Sequence, residues 1–229
     1  MDLHGYRNIY DFMTRCVHGN IYEIAHVQRV LCNSLRILDG EKNADGHIVI
    51  LAALLHDIGR GNPAGNHAVT GSRKAHTFLL EAGYPEHVAV HVADCILTHR
   101  YSTAESPRSN EARIVFDADK LDLLGAIGTA RAIKQTVMEG EPFYTLRADG
   151  LPGSGTKGEP PSLLREYREK LKKLPDVLYT ETARRIAART RQVQDIFFAS
   201  LLRETEEAYA ECARMLMIYG QQTPGPNGE

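Results

Sequence analysis

His56 and Asp57 stand side by side in Leu54-Leu55-His56-Asp57-Ile58-Gly59, at the end of an apolar run from Ile48 to Leu55. A run of that length with no polar face describes a buried element. An imidazole and a carboxylate buried together are costly unless something satisfies both. A divalent cation does so, because neutral imidazole nitrogen and carboxylate oxygen are both good ligands. His26 and Asp119 are polar interruptions of the same kind. His26 sits beside an apolar stripe at 24, 27, 30, 31, 35 and 38, which keeps helical spacing. Asp119 lies within Ile114-Val115-Phe116-Asp117-Ala118-Asp119-Lys120-Leu121-Asp122, another apolar run. Converging, these side chains offer two imidazoles and two carboxylates, with positions left for water or substrate.

The elements that must bring them together are helical. Strand alternation is almost absent, and the periodicity predicts helices near 8–17, 21–38, 47–58, 66–82, 86–99, 110–134, 162–173 and 179–216. Gly59 and Gly61 end the element that carries His56, and its carbonyl end favours a cation nearby. Gly83-Tyr84-Pro85 stops the helix over 66–82, and the residues from Arg100 to Ser109 form a polar loop. The expected organisation is a body over 1–138, a flexible loop or lid over 139–161, helices over 162–217 packed on the body, and a disordered tail over 218–229. Gly153-Ser154-Gly155-Thr156-Lys157-Gly158 is not a P-loop: no strand precedes it and its lysine falls before the last glycine.

In order and context, His26, His56-Asp57 and Asp119 resemble the signature of the HD-domain metal-dependent phosphohydrolases. The likeness is strongest to the stand-alone HD hydrolases of bacteria and archaea. Asp117-Ala118-Asp119-Lys120-Leu121-Asp122 runs on into Gly125-Ala126-Ile127-Gly128, and Glu169-Lys170-Leu171, a threonine near 180 and the run toward Arg189 also match. The resemblance spans roughly residues 20 to 205. It implies an all-α fold, a single compact HD-type helical domain with a C-terminal helical extension. It also implies a divalent metal held by His26, His56, Asp57 and Asp119, and hydrolysis of phosphoester or phosphoanhydride bonds in a nucleotide-like small molecule. The ligand set suits Mn²⁺, Fe²⁺, Zn²⁺, Ni²⁺ or Mg²⁺.

In several HD subfamilies a carboxylate follows the His-Asp pair by three positions; here that residue is Arg60. An arginine is no base at ordinary pH, but its guanidinium fork suits phosphate oxygens. The base role therefore falls among Asp57, His67 and His99, and phosphate contact among Arg60, Lys120 and Lys170. His67 and His99 follow the central pair and, by resemblance to HD proteins with an extended core, are candidates to bind a second metal or a phosphate; His91, eight residues before His99, ranks behind them. Asp122 shares a helix face with Asp119 and reads equally as an orienting partner or a surface ion pair. Two other functions compete with hydrolysis of a small phosphate compound. One is a catalytically weak nucleotide-sensing module, motivated by Arg60; the other is a phosphodiesterase with a two-metal centre.

Composition narrows the partners. A net charge of −2 gives no bulk attraction to extended nucleic acid or to an anionic membrane. The four cysteines are scattered with no Cys-x-x-Cys pair, the N-terminus lacks a signal-peptide pattern, and no apolar run approaches a membrane span. The expectation is a cytoplasmic protein acting on a small phosphorylated molecule.

Overall fold

The computed structural model describes residues 3–60, 66–100 and 106–221. Gly61, most of the polar loop after Arg100, and 222–229 of the expected tail lie outside them. Among the described residues every regular element is helical, apart from an isolated bridge between Leu146 and Pro152. The four cysteines are free thiols, and no helix is long and apolar enough to cross a membrane.

The chain divides into two compact units, one of residues 1–122 with 175–189, the other of 123–174 with 190–229. In the first, α1 (Arg7–Cys16), α2 (Ile21–Gly40), α3 (Gly46–Leu55), α4 (His67–Glu81), α5 (Glu86–Thr98) and α6 (Asn110–Leu121) come after a short 3-10 turn, His4–Tyr6. The central helix is α3, which touches α1, α2, α5 and α6. That position explains its uniformly apolar sequence. Leu51, Leu54 and Leu55 are fully buried, each contributing roughly 1.5–3 kcal/mol by leaving water. Asp45 caps α3 by accepting from the amides of His47 and Ile48. Asn20, Asn66 and Ser109 cap α2, α4 and α6 in the same way.

The second unit holds α7 (Gly125–Glu139), α8 (Leu163–Glu169) and most of α9 (Glu181–Gly220), whose first turns belong to the first unit. The helix expected over 110–134 is two helices. Gly125 has φ +67, a left-handed conformation that a continuing helix cannot contain, and a Cβ there would lie 2.6 Å from Cγ2 of Thr190. The helix expected over 162–173 ends at Glu169 and gives way to a 3-10 segment, Leu171–Val177. Pro175 lies in that segment, lacks an amide donor and disfavours α geometry at Leu174. Helix α9 continues to Gly220, into the stretch expected as tail.

Candidate metal centre

The chain order of the elements brings His26, His56, Asp57 and Asp119 to one point inside the first unit. His26 lies on α2, His56 caps the C-terminal end of α3, Asp57 comes next, and Asp119 lies in the last turn of α6. Nε2 of His26 is 3.2 Å from Nε2 of His56, 3.3 Å from Oδ2 of Asp57 and 3.4 Å from Oδ1 of Asp119. Nε2 of His56 is 3.4 Å from the same Asp57 oxygen. His26, His56 and Asp57 are at most 2% exposed.

The outward nitrogens of the imidazoles decide what the inward ones present. Nδ1 of His56 donates to the Ala53 carbonyl at 2.9 Å, and Nδ1 of His26 donates to Oδ2 of Asp122 at 2.8 Å. A neutral imidazole with its proton on Nδ1 has a lone pair on Nε2. Around Nε2 of His26, the second lone pair and two carboxylate oxygens thus stand at 3.2–3.4 Å. Only positive charge between them, a proton or a cation, makes this arrangement favourable. Donors sharing one ion at ~2.0–2.2 Å must lie within about 4.4 Å of one another; His26, His56 and Asp57 meet this among themselves, and Asp119 meets it with His26. The donor set fits a divalent ion.

A second group shares the Asp57 carboxylate. Oδ1 of Asp57 is 3.6 Å from Nε2 of His67 and 3.8 Å from Nε2 of His99, and these three atoms also form a set able to hold an ion. That oxygen is buried with no hydrogen-bond partner among the described residues. Nδ1 of His99 donates to the Ile96 carbonyl at 2.6 Å, which again leaves Nε2 its lone pair. Burial, and then the neighbouring His56, pushes the His99 imidazole down to about 3, so it is neutral near pH 7. Burial also lowers His67. Gly59 makes the approach of α4 possible: a Cβ there would run into the His67 carbonyl oxygen and lie 2.6 Å from the Gly71 amide nitrogen.

Burial alone would raise the Asp57 carboxyl. With a proton rather than a cation between the donors, the charge of His56, hydrogen bonding from His26 and His56, and the charge of Arg60 outweigh burial and hold it well below the usual carboxylate range. Asp119 is likewise depressed, against the pull of its burial, first by Lys120 and then by His26. Arg60 donates from Nε to Oδ2 of Asp57 at 2.6 Å, with Oε2 of Glu23 at 3.6 Å, and keeps 39% of its side chain exposed.

The remaining candidates are engaged by other partners. Lys120 is 5% exposed and spent on its own helix and on α5: its Nζ donates to Oδ2 of Asp119 at 2.6 Å and to the His99 carbonyl at 2.9 Å, above the Phe116 ring. Held on both sides, it offers no open face to a phosphate. Lys170 belongs to the other unit, on an exposed surface, 2.6 Å from Glu166. His91 pairs with Ser109 and Glu111 at 3.0 and 3.2 Å. Asp122 is buried, so the surface-pair reading fails: it accepts from His26 and, through both oxygens, from Arg29. Glu23 and Arg29 escaped the sequence reading, although each lies three residues from His26 on α2, the spacing of helical neighbours.

Residues 24–124 match the HD domain family. An uncharacterised Bacillus subtilis protein, YpgQ, is 32% identical over 166 residues, 71% of this chain and 74% of that protein. The crystal structure of YpgQ in complex with ADP aligns at 28% identity with a TM-score of 0.65, covering 86% of this chain and 93% of that one. An HD-superfamily hydrolase from Bacillus thuringiensis aligns at 26% identity with a TM-score of 0.68, covering 88% and 96%.

Proposed function

The chain belongs to the HD-domain family, and from that premise we propose that it is a metal-dependent phosphohydrolase acting on phosphoester or phosphoanhydride bonds of a nucleotide-like small molecule. The observation that carries this reading is the facing of His26 Nε2, His56 Nε2, Asp57 Oδ2 and Asp119 Oδ1 with both Nδ1 protons engaged elsewhere. These four residues hold a divalent ion, which when bound polarises a phosphoryl oxygen and lowers the pKa of a coordinated water. A relative crystallised with ADP supports the nucleotide class.

The chain's own groups divide the remaining work. Lys120 and Arg60 fix the two carboxylates from behind. Arg60, partly exposed, supplies a guanidinium for phosphate oxygens. His67, 21% exposed and neutral near pH 7, accepts the proton of the attacking water.

The test is Mn²⁺-supplemented protein assayed for product against nucleoside mono-, di- and triphosphates, with Asp57→Ala alongside. Turnover by the unaltered protein, lost together with bound Mn²⁺ in Asp57→Ala, is the expected result. Hydrolysis by a metal-free Asp57→Ala protein would refute it. Thermal stabilisation by a nucleotide without product would favour a sensing module instead.

A second reading, a two-ion centre suited to phosphodiester cleavage, draws on the unpartnered Oδ1 of Asp57 between His67 and His99. It expects two Mn²⁺ per chain by calorimetric titration, falling to one in His67→Ala. A single ion in both proteins removes it.

A further inference from the structure

We propose that Asp122, locked by Arg29, is a positioning residue that sets the tautomer of His26 and through it the affinity of the centre for its ion. This inference rests on the metal-site reading above. Oδ2 of Asp122 receives Nδ1 of His26 at 2.8 Å. Arg29, one turn beyond His26 on α2, grips the same carboxylate from the other side, Nε to Oδ1 at 2.6 Å and Nη2 to Oδ2 at 3.0 Å. Asp122 is 4% exposed and His26 2%, so water does not exchange freely with these bonds. Asp122 is also the C-cap of α6, with its amide donating to the carbonyls of Asp119 and Lys120. The residue that orients one donor imidazole is therefore fixed to the helix that delivers the Asp119 carboxylate.

A carboxylate can only accept, so it compels His26 to keep its proton on Nδ1 and its lone pair on Nε2. An oriented acceptor behind a ligating histidine raises its basicity, and losing one typically weakens metal binding about 10–100-fold. The pair would be a mere staple between α2 and α6 if any polar side chain served equally well at 122. The acceptor and its charge separate the two roles. In Asp122→Asn an amide oxygen at the Oδ2 position still accepts from Nδ1 of His26 and from Nη2 of Arg29, while the NH₂ group takes the Oδ1 position against Nε of Arg29. His26 keeps its proton on Nδ1 but loses the negative charge behind it, and removing Arg29 as well relieves the donor–donor contact. In Asp122→Ala the acceptor itself is gone and the proton is free to move to Nε2.

The experiment measures Mn²⁺ affinity by calorimetry and the His26 tautomer by ¹⁵N NMR of the metal-free protein. It covers the unaltered chain, Asp122→Ala, Asp122→Asn, Arg29→Met and the double variant Arg29→Met/Asp122→Asn. Expected are a 10–100-fold loss of affinity in Asp122→Ala with the His26 proton no longer held on Nδ1, a smaller loss in Asp122→Asn with the proton still on Nδ1, and a tighter site in the double variant than in Asp122→Asn. His56 reports folding in every protein, since its Nδ1 bond to Ala53 is untouched and must persist. Asp122→Ala with the His26 proton still fixed on Nδ1, or with affinity equal to the unaltered chain, overturns the proposal. An unaltered chain that binds no Mn²⁺ but shows the tautomer shift overturns the metal-site reading and leaves the positioning of His26 standing.

Discussion

Helix α6 carries two aspartates two residues apart that are satisfied in opposite ways. Asp117, fully buried, accepts from the amides of Tyr179 and Thr180 and from the Thr180 hydroxyl, at 2.7–3.1 Å. The same hydroxyl accepts from the Ala183 amide and so caps α9. Asp119 meets one ammonium, Lys120, and otherwise looks toward imidazole nitrogens. A carboxylate saturated with N–H and O–H donors is a structural tie. A carboxylate facing lone pairs needs a cation, and the second pattern marks chemistry. Asp119 is only 14% exposed, so burial separates the two little; the identity of the neighbouring atoms separates them.

Exchanging one residue at a time tests that division. Asp119→Ala should lower kcat/KM on the order of 10²–10³-fold or more, the scale for losing a preorganised charged group, with little change in melting temperature. Asp117→Ala should do the reverse. It strands two buried donors on Thr180 and the part-buried Tyr179 amide, at about 1–3 kcal/mol for each buried one, which for a chain of this size lowers the melting temperature by about 10 °C or more, while activity per folded molecule survives. Calorimetry and specific activity measured on both proteins decide the matter. An inactive but fully stable Asp117→Ala would erase the distinction.

Gly59 sharpens it at smaller amplitude. A methyl group there meets backbone at His67 and Gly71, with no flexible side chain to give way. The start of α4 must shift, at roughly 1–3 kcal/mol for overpacking. The shift carries His67 away from Asp57 and leaves His26, His56 and Asp119 where they are. Gly59→Ala should therefore retain one Mn²⁺ and lose affinity for a second. Titration showing equal loss at both would mean that the two groups are not separable.

The four converging residues were legible because they interrupt apolar runs, and a polar group in such a run must answer for its burial. The all-helical class was legible from periodicity. The breaks at 122–125 and after Glu169 were not. One depends on a positive φ at Gly125 and the other on the switch to 3-10 geometry at Leu171, and apolar spacing runs through both. The role of Lys120 was equally hidden, and for Asp122 the sequence left an orienting partner and a surface ion pair open. Whether a lysine beside a ligand reaches for substrate or turns back to a carbonyl depends on the distant His99, and sequence spacing carries no such distance.

Glu159 extends the comparison into the second unit, within the segment expected as a loop or lid. Its carboxylate gathers the amides of Ser154 and Gly155 and the hydroxyls of Thr145, Ser154 and Thr156. By the rule drawn from Asp117 this is a tie, and no ion belongs there. Burial opposes its ionisation, but the Gly155 amide, the Thr145 hydroxyl and the other donors bring the carboxyl down to about 2. A depressed folded-state value means stability present above the unfolded value of ~4.3 and lost as pH falls toward 2. The group is partly exposed, so solvent screening keeps the effect small. Denaturant titrations of the unaltered chain between pH 6 and pH 2.5 should lose a component that Glu159→Gln lacks, the two curves converging at the acid end. Parallel curves across the whole range would mean that the donors around Glu159 are held by the chain and not by its charge, and the rule would then fail outside the first unit.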